Sequence, residues 1–332
     1  MKRREFITLL GGGAAMPVLW PLKVRAQQGD RIRRIGILMP SGEHEPETLL
    51  RLGAFRKEFD RLGWSEGRNV RIDYRWTAGV AERMLAYASE LVGLGPAVIL
   101  VQSNPGVAAL QKATRTIPIV FASVADPVGS GFVESLSRPG RNITGFTHFE
   151  PPMGGKWLEA LNKVAPGVTR AAVFLHMETA ANAAFLKSAQ AAAPSLGLVV
   201  SAASVHNAAE IERAVTVFAA EPNGGLIVMP HPLTSSNRDL IIGLAARHRL
   251  PAVYPFRHFA EAGGLMSYGA DQVDLFRRAA AYVDRILRGT KPDELPVQVS
   301  NQFEFVLNLK TAKMLGLEIP PTLLALADGV IE

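Results

Sequence analysis

From Arg33 onward, short apolar runs alternate with longer stretches in which apolar residues recur at helical spacing. The apolar runs predict strands at Ile35–Met39, Val70–Tyr74, Val98–Val101, Ile119–Phe121, Ala171–Leu175, Val199–Ala203, Leu226–Met229, Ala252–Tyr254 and Leu265–Ser267. The stretches between them predict helices near Glu47–Leu62, Ala81–Gly93, Gly106–Thr114, Phe132–Leu136, Gly154–Val164, Ala180–Ala193, Ala208–Ala220, Ser236–Arg247 and Gln272–Leu287. Several strands are continuous Val/Ile/Leu runs rather than alternating ones, the pattern of a sheet covered by helices on both faces. Strict strand–helix alternation implies parallel sheets with right-handed crossovers, an α/β fold of doubly wound lobes.

Punctuation divides the pattern. Arg138-Pro139-Gly140 and Pro151-Pro152 bracket Asn142–Phe149, which reads as a passage between two lobes, after which the β/α pattern restarts. Past Arg288-Gly289 the rhythm breaks: Leu295–Leu309 reads as extended, with Val297, Val299, Phe303, Phe305 and Leu307 in alternation. A short helix near Lys310–Leu315 follows, then Pro320-Pro321. A tail of this kind returns to stitch the lobes together.

The first residues read as an address. Lys2, Arg3 and Arg4 precede a short apolar stretch from Ile7 to Trp20, and Val24-Arg25-Ala26 offers a small-residue cleavage site before Gln27. The stretch is too short to span a bilayer, and Gly11, Gly12 and Gly13 loosen it further. Arg3-Arg4-Glu5-Phe6-Ile7 has the order of a twin-arginine export signal, the alternative being an ordinary secretory leader with two arginines. Residues 1–26 are therefore expected to be a cleaved signal peptide and the protein periplasmic, soluble and not membrane-embedded. With no cysteine in the chain, disulfides, thiolate metal sites and lipid attachment through cysteine are excluded.

Charge changes the picture once the leader is set aside. The whole chain carries +6; the leader holds five basic residues and one acid, a net +4, which leaves +2 for the remaining 306 (332 − 26) residues. That is too little for a nucleic-acid footprint, and a 48% hydrophobic content supports two compact domains.

In open α/β sheets ligands bind at the carboxyl ends of strands, where unpaired backbone amides lie. After the first strand, Ser41 either donates to a ligand carboxylate or caps the next helix with Glu43. After the third come Ser103, Asn104 and Pro105, with Pro105 suited to the first helical position. After the fourth come Val124, Ala125 and Asp126, the aspartate either accepting from a ligand ammonium or serving the turn before Pro127. In the second half Asn182, His231, Phe256 and Tyr268 are expected at the cleft mouth, Phe256 offering a stacking face or simply core packing.

Catalytic templates fail. No glycine-rich turn follows a strand, no phosphate-binding loop appears, and no Gly-x-Ser-x-Gly elbow occurs. The seven histidines show no i, i+4 pairing around a glutamate, so a metal site would need residues brought together only by the fold. No catalytic residue, cofactor or metal is expected.

Several segments together resemble the ABC transporter substrate-binding protein family that includes the TrpX-like proteins: Ile117–Phe121, Ala125–Val128, Arg138–Gly145, Gly263–Gly269, Ala280–Gly289 with Leu295–Gln298, and Ala312–Pro320. The resemblance runs from about Arg34 to Asp328 and implies a type I periplasmic-binding-protein fold, with three crossings between lobes and a small-molecule ligand in the cleft. It divides the chain into 30–146 plus 269–292 for one lobe and 147–268 plus 293–332 for the other. It implies an ABC permease and its ATPase as partners; the alternative is a ligand-sensing module for a membrane receptor. This chain departs from the aromatic-amino-acid binders at Ser103-Asn104-Pro105-Gly106, at His231 and at Arg257-His258, so an amino acid or another aromatic or organic acid all remain open as ligand.

Overall fold

A computed structural model describes residues 32–332. The expected signal peptide at 1–26 lies outside the described residues.

The first β/α repeat runs through strands β1 (Arg33–Met39), β2 (Val70–Trp76), β3 (Val98–Gln102), β4 (Ile119–Ala125) and β5 (Ile143–Phe149), linked by helices α1 (Pro46–Arg61), α2 (Ala81–Gly93) and α3 (Asn104–Ala113). After α4 (Met153–Val164) the pattern restarts with β6 (Arg170–Leu175), α5 (Ala180–Ala192), β7 (Val199–Ser204), α6 (Ala208–Phe218), β8 (Gly224–Val228), α7 (Pro232–Ser236), α8 (Arg238–Arg247), β9 (Ala252–Tyr254), α9 (Arg257–Glu261) and β10 (Met266–Ala270). The remainder comprises α10 (Gln272–Leu287), β11 (Gln298–Val299), β12 (Phe303–Asn308), α11 (Leu309–Leu315), α12 (Pro321–Leu324) and β13 (Gly329–Ile331).

These strands form two sheets, in the orders β11-β5-β4-β3-β1-β2 and β13-β12-β10-β9-β8-β6-β7. The first is parallel throughout, and in the second only the β10–β12 pair is antiparallel. The chain passes between sheets three times: from β5 into α4, from β10 into α10, which packs on α1 and β4, and from β11 into β12. This is the two-lobed, doubly wound α/β architecture expected. Among the described residues no helix is long and apolar enough to cross a membrane.

Amphipathic helices explain the layers. On α1 the buried residues Thr48, Arg51, Leu52, Phe55 and Phe59 recur at three- and four-residue steps, giving one stripe against the sheet and α10. Asp271 starts α10 by accepting from the backbone amides of Val273 and Asp274. Leu91, Val107, Leu110 and Phe121 fill the other face of the first sheet.

Three expectations are corrected. Asn142–Phe149 is no mere passage: Ile143–Phe149 is a fully buried strand of the first sheet, and the chain leaves that lobe only after it. Its mixture of Thr, Gly, His and Phe lacks a Val/Ile/Leu run, which hid it. Phe132–Leu136 is bent, irregular backbone rather than a helix, with Gly131 at φ +71° before it and Pro139 after; Phe132 and Val133 are still buried. The tail is also still in the first lobe at Gln298–Val299, hydrogen-bonded to β5, so the last crossing falls near residue 300 rather than at 293.

Candidate functional site

Strand order reverses at β1 and β3 in the first sheet and at β6 and β8 in the second, and the carboxyl ends there leave helix-starting amides free. A cavity lies between these two places, enclosing about 770 Å³ of space, part of it open to solvent. A volume in this range suits a small organic molecule. The first lobe contributes Ser41 after β1, Glu47 and Arg51 from α1, Gln102 at the end of β3 and Ser103 to Pro105 after it, Ser123 of β4, His148 of β5 and Gln272 of α10. The second contributes Thr179, Pro230 to Pro232, Ser235, Ser236, Arg238, Phe256 and His258.

Of the residues expected from sequence, Ser41, Ser103, Asn104, Pro105, His231 and Phe256 line this cavity, and Val124, Ala125, Asp126, Asn182 and Tyr268 do not. Strand β4 continues to Ala125, so Val124 and Ala125 are buried strand residues rather than loop. Asp126 accepts from the backbone amide of Gly129 and serves its turn. Asn182, 1% exposed, donates to the carbonyl of His176 and holds the β6–α5 loop. Tyr268 packs its ring on Phe303 and Phe305. Within the lining set, Asn104 is turned away: its amide donates to the carbonyl of Ala125 and its oxygen accepts from that residue's N–H, clamping the two loops.

Sequence reading missed Ser123, His148, Arg51, Gln102 and Gln272. The β4–β5 register shifts between Ala122 and Val124, and Ser123, at φ +64°, is the residue that shift throws out. A bulge re-aims one side chain in an otherwise regular strand, a position no propensity marks. Arg51 lies in the buried stripe of α1, where an apolar residue belongs by pattern. A charge in an apolar register was the available signal.

These residues form a connected wall. Arg51 donates through Nη1 to Gln272 Oε1 at 2.6 Å, and Gln272 donates through Nε2 to Ser123 Oγ at 2.7 Å. The guanidinium only donates, which fixes the orientation of the Gln272 amide. Ser123 Oγ lies 3.5 Å from His148 Nδ1. In the second lobe the Leu233 amide donates to His231 Nδ1, which places the His231 proton on Nε2.

Among the described residues, four buried polar atoms in this wall have no protein partner: Arg51 Nε, Gln102 Oε1, His148 Nε2 and His231 Nε2. Buried polar atoms left unpaired are costly, so their convergence on one cavity is what a polar ligand would relieve. Burial holds the Arg51 guanidinium down at about 10, so it is charged at neutral pH, and among the described residues no carboxylate lies within ion-pair distance of it.

Burial also pushes His148 and His231 down to about 3, and with Arg51 nearby it does the same to His258. All three rings are neutral at neutral pH. Between about pH 6.5 and 3 the unfolded chain binds protons at these positions and the folded chain does not, so stability is full above 6.5 and falls on acidification. The expected slope is up to about 1.4 kcal/mol per pH unit for each ring. Melting curves across that range should show it, and His148→Gln should remove its share.

The lobes touch across the cavity mouth. Arg238 Nη1, at the start of α8, lies 2.6 Å from Glu47 Oε1 in the first turn of α1. A Cβ on Gly79 would fall 2.8 Å from the Cβ of Ser236. The structure is therefore of a closed cleft.

Comparison with known proteins agrees with this geometry. A family model described as "ABC transporter substrate binding protein" matches residues 42–331. A tyrosine-binding protein of Clostridioides difficile is 24% identical over 270 residues, 80% of this chain and 76% of that protein. An ABC domain from Streptococcus pneumonia, solved in complex with L-Trp, superposes with a TM-score of 0.84 at 25% identity, covering 91% of this chain and all of that one. A conserved domain protein from Vibrio cholerae gives 0.83 at 27%, covering 90% of this chain and all of that one.

Proposed function

Since the chain belongs to the ABC transporter substrate-binding protein family, we propose that it captures a small carboxylate-bearing organic molecule, an amino acid or other organic acid, between its lobes and delivers it to a membrane permease driven by an ATPase. The observation that carries the ligand class is Arg51: a buried guanidinium with no carboxylate partner among the described residues and an unpaired Nε, in the wall of the interlobe cavity. Glu47 and Glu45 act on Arg51 from a distance, and a ligand carboxylate supplies the direct, bidentate ion pair they do not make. His231 Nε2–H and Gln102 Oε1 add a donor and an acceptor on opposite lobes, so one ligand engages both walls. Phe256 gives it an apolar face.

The twin-arginine-like start supports export before capture. The family consists of binding proteins rather than enzymes, and the Ser123–His148 pair fits that reading. His148 Nε2 has no partner, so no carboxylate orients the ring as a general base requires.

Ligand released from the purified protein by denaturation and identified by mass spectrometry tests the proposal, together with a thermal-shift screen. Carboxylates should raise the melting temperature and their amides or esters should not. Stabilisation by neutral sugars or polyols alone would overturn the assignment.

The Glu47–Arg238 pair bridges the lobes and favours the closed form, while Glu47 also lies in the cavity wall and acts on Arg51 through its charge. Glu47→Gln should weaken ligand affinity by about two- to fivefold through the closing equilibrium, the scale of a partly exposed ion pair. Scattering should show a more open ligand-free molecule, and Arg238→Ala on top of Glu47→Gln should add little.

A further inference from the structure

We propose that His176, Glu178 and His206 form a binding site for a divalent transition-metal ion, best matched to Zn²⁺, at the second-lobe rim of the cavity. His176 follows β6 and His206 follows β7, adjacent parallel strands in which Leu175 pairs with Ser204, so the two loops emerge side by side. Along the chain the histidines are 30 residues apart, and only the sheet unites them.

The side-chain geometry is that of ligands around a shared cation. One ligand atom from each of the three residues lies within 4.8 Å of the other two. His176 Nδ1 is 2.9 Å from Glu178 Oε2, yet it makes no hydrogen bond and has no other partner. His206 Nε2 is 3.1 Å from Glu178 Oε1. Each histidine nitrogen lies beside a different oxygen of Glu178; tetrahedral zinc with bonds of about 2 Å holds its ligand atoms about 3.3 Å apart, so the cluster, now within 4.8 Å, closes around one ion by side-chain rotation.

A carboxylate behind His206 completes the arrangement. Glu210 Oε2 lies 2.8 Å from His206 Nδ1 and accepts from the His206 backbone amide, while Glu210 Oε1 accepts from the Asn207 side chain. Held in this way, Glu210 accepts from His206 Nδ1–H and orients the ring with Nε2 toward Glu178, the role that outer carboxylates play for metal-bound histidines. Without metal, His206 Nε2 and Glu178 share an ordinary hydrogen bond. That bond leaves the misaligned His176 contact unmet, whereas a metal ion would satisfy both.

The site abuts the cavity without using its ligand-facing atoms. His176 stacks on His231 at 4.4 Å, and the His231 Nδ1 is committed to the Leu233 amide. The inference therefore stands apart from the identity of the captured solute.

Calorimetric titration of ZnCl₂ into the untagged, chelator-treated chain in a non-coordinating buffer tests it. The expected result is saturation at one ion per chain, weakened roughly tenfold or more by His176→Ala, by His206→Ala and, through orientation alone, by Glu210→Gln. His44→Ala, far from the cluster, serves as the control and should leave Zn²⁺ affinity unchanged. Melting curves of the zinc-free variants confirm folding. No saturable binding, or binding that survives both His176→Ala and His206→Ala, would overturn the proposal.

Discussion

Replacing Arg51 with methionine should reduce affinity for a carboxylate ligand by two to three orders of magnitude, about 3 to 4 kcal/mol, while leaving the ligand-free protein at least as stable as before. The asymmetry follows from its surroundings. Arg51 is 6% exposed and held by Gln272 and Thr48, neutral partners that stabilise a guanidinium far less than a carboxylate does. Without ligand, the fold bears a buried charge offset only by those partners and the longer-range field of Glu47 and Glu45, which apolar packing of similar volume replaces at little loss. With ligand, that charge becomes half of a desolvated ion pair, and its removal strands the other half. Arg51→Lys should fall between, because an ammonium keeps the charge but loses the fork. Titration of the identified ligand by calorimetry and melting of the ligand-free variants separate the two effects. Equal affinities for wild type and Arg51→Met would remove the anchor from the proposed role.

Trp157→Ala should cost the fold about 4 kcal/mol or more, the largest stability effect expected of a single substitution here. Trp157 is 0% exposed on α4, the first helix after the first crossing. Its ring meets Phe149 of β5 edge-on at 5.0 Å and Phe185 of α5 at 5.7 Å. Its Nε1 donates to the Tyr268 carbonyl in β10 at 2.7 Å. One side chain thus joins the end of the first sheet to two elements of the second lobe, and truncation leaves both a void and an unpaired carbonyl. Trp157→Phe keeps most of the volume and loses the N–H, for an expected cost of about 1–3 kcal/mol. Denaturant midpoints for the two variants separate packing from hydrogen bonding, and a midpoint for Trp157→Ala within error of wild type would contradict this account.

The strands that carry continuous apolar runs, such as Val98–Gln102 and Gly224–Val228, were legible because burial on both faces leaves a compositional trace. Ile143–Phe149 was not, since its burial depends on neighbours that no local window contains. The strand-end rule found Ser41, Ser103 to Pro105, His231 and Phe256 on the cavity wall. It failed at Val124 to Asp126 because the strand runs on to Ala125 through a bulge at Ser123. Tyr268 failed for a related reason: alternation along β10 sends its ring to Phe303 and Phe305 on β12. Arg51, Gln272 and His148 come from a helix face, a helix start and a strand far apart in sequence, Gln272 returning only through the second crossing, a relation with no signature at short range.

Those crossings also govern when the molecule can become whole. The first lobe borrows α10 and β11, residues 272 to 299, and α10 lies directly on α1. During synthesis the leading half therefore cannot finish ahead of the trailing half, contrary to the usual order of multidomain chains. A nascent polypeptide stalled before residue 272 would hold α1 with its stripe of Leu52, Phe55 and Phe59 uncovered, a target for chaperones until the ribosome releases almost the entire protein.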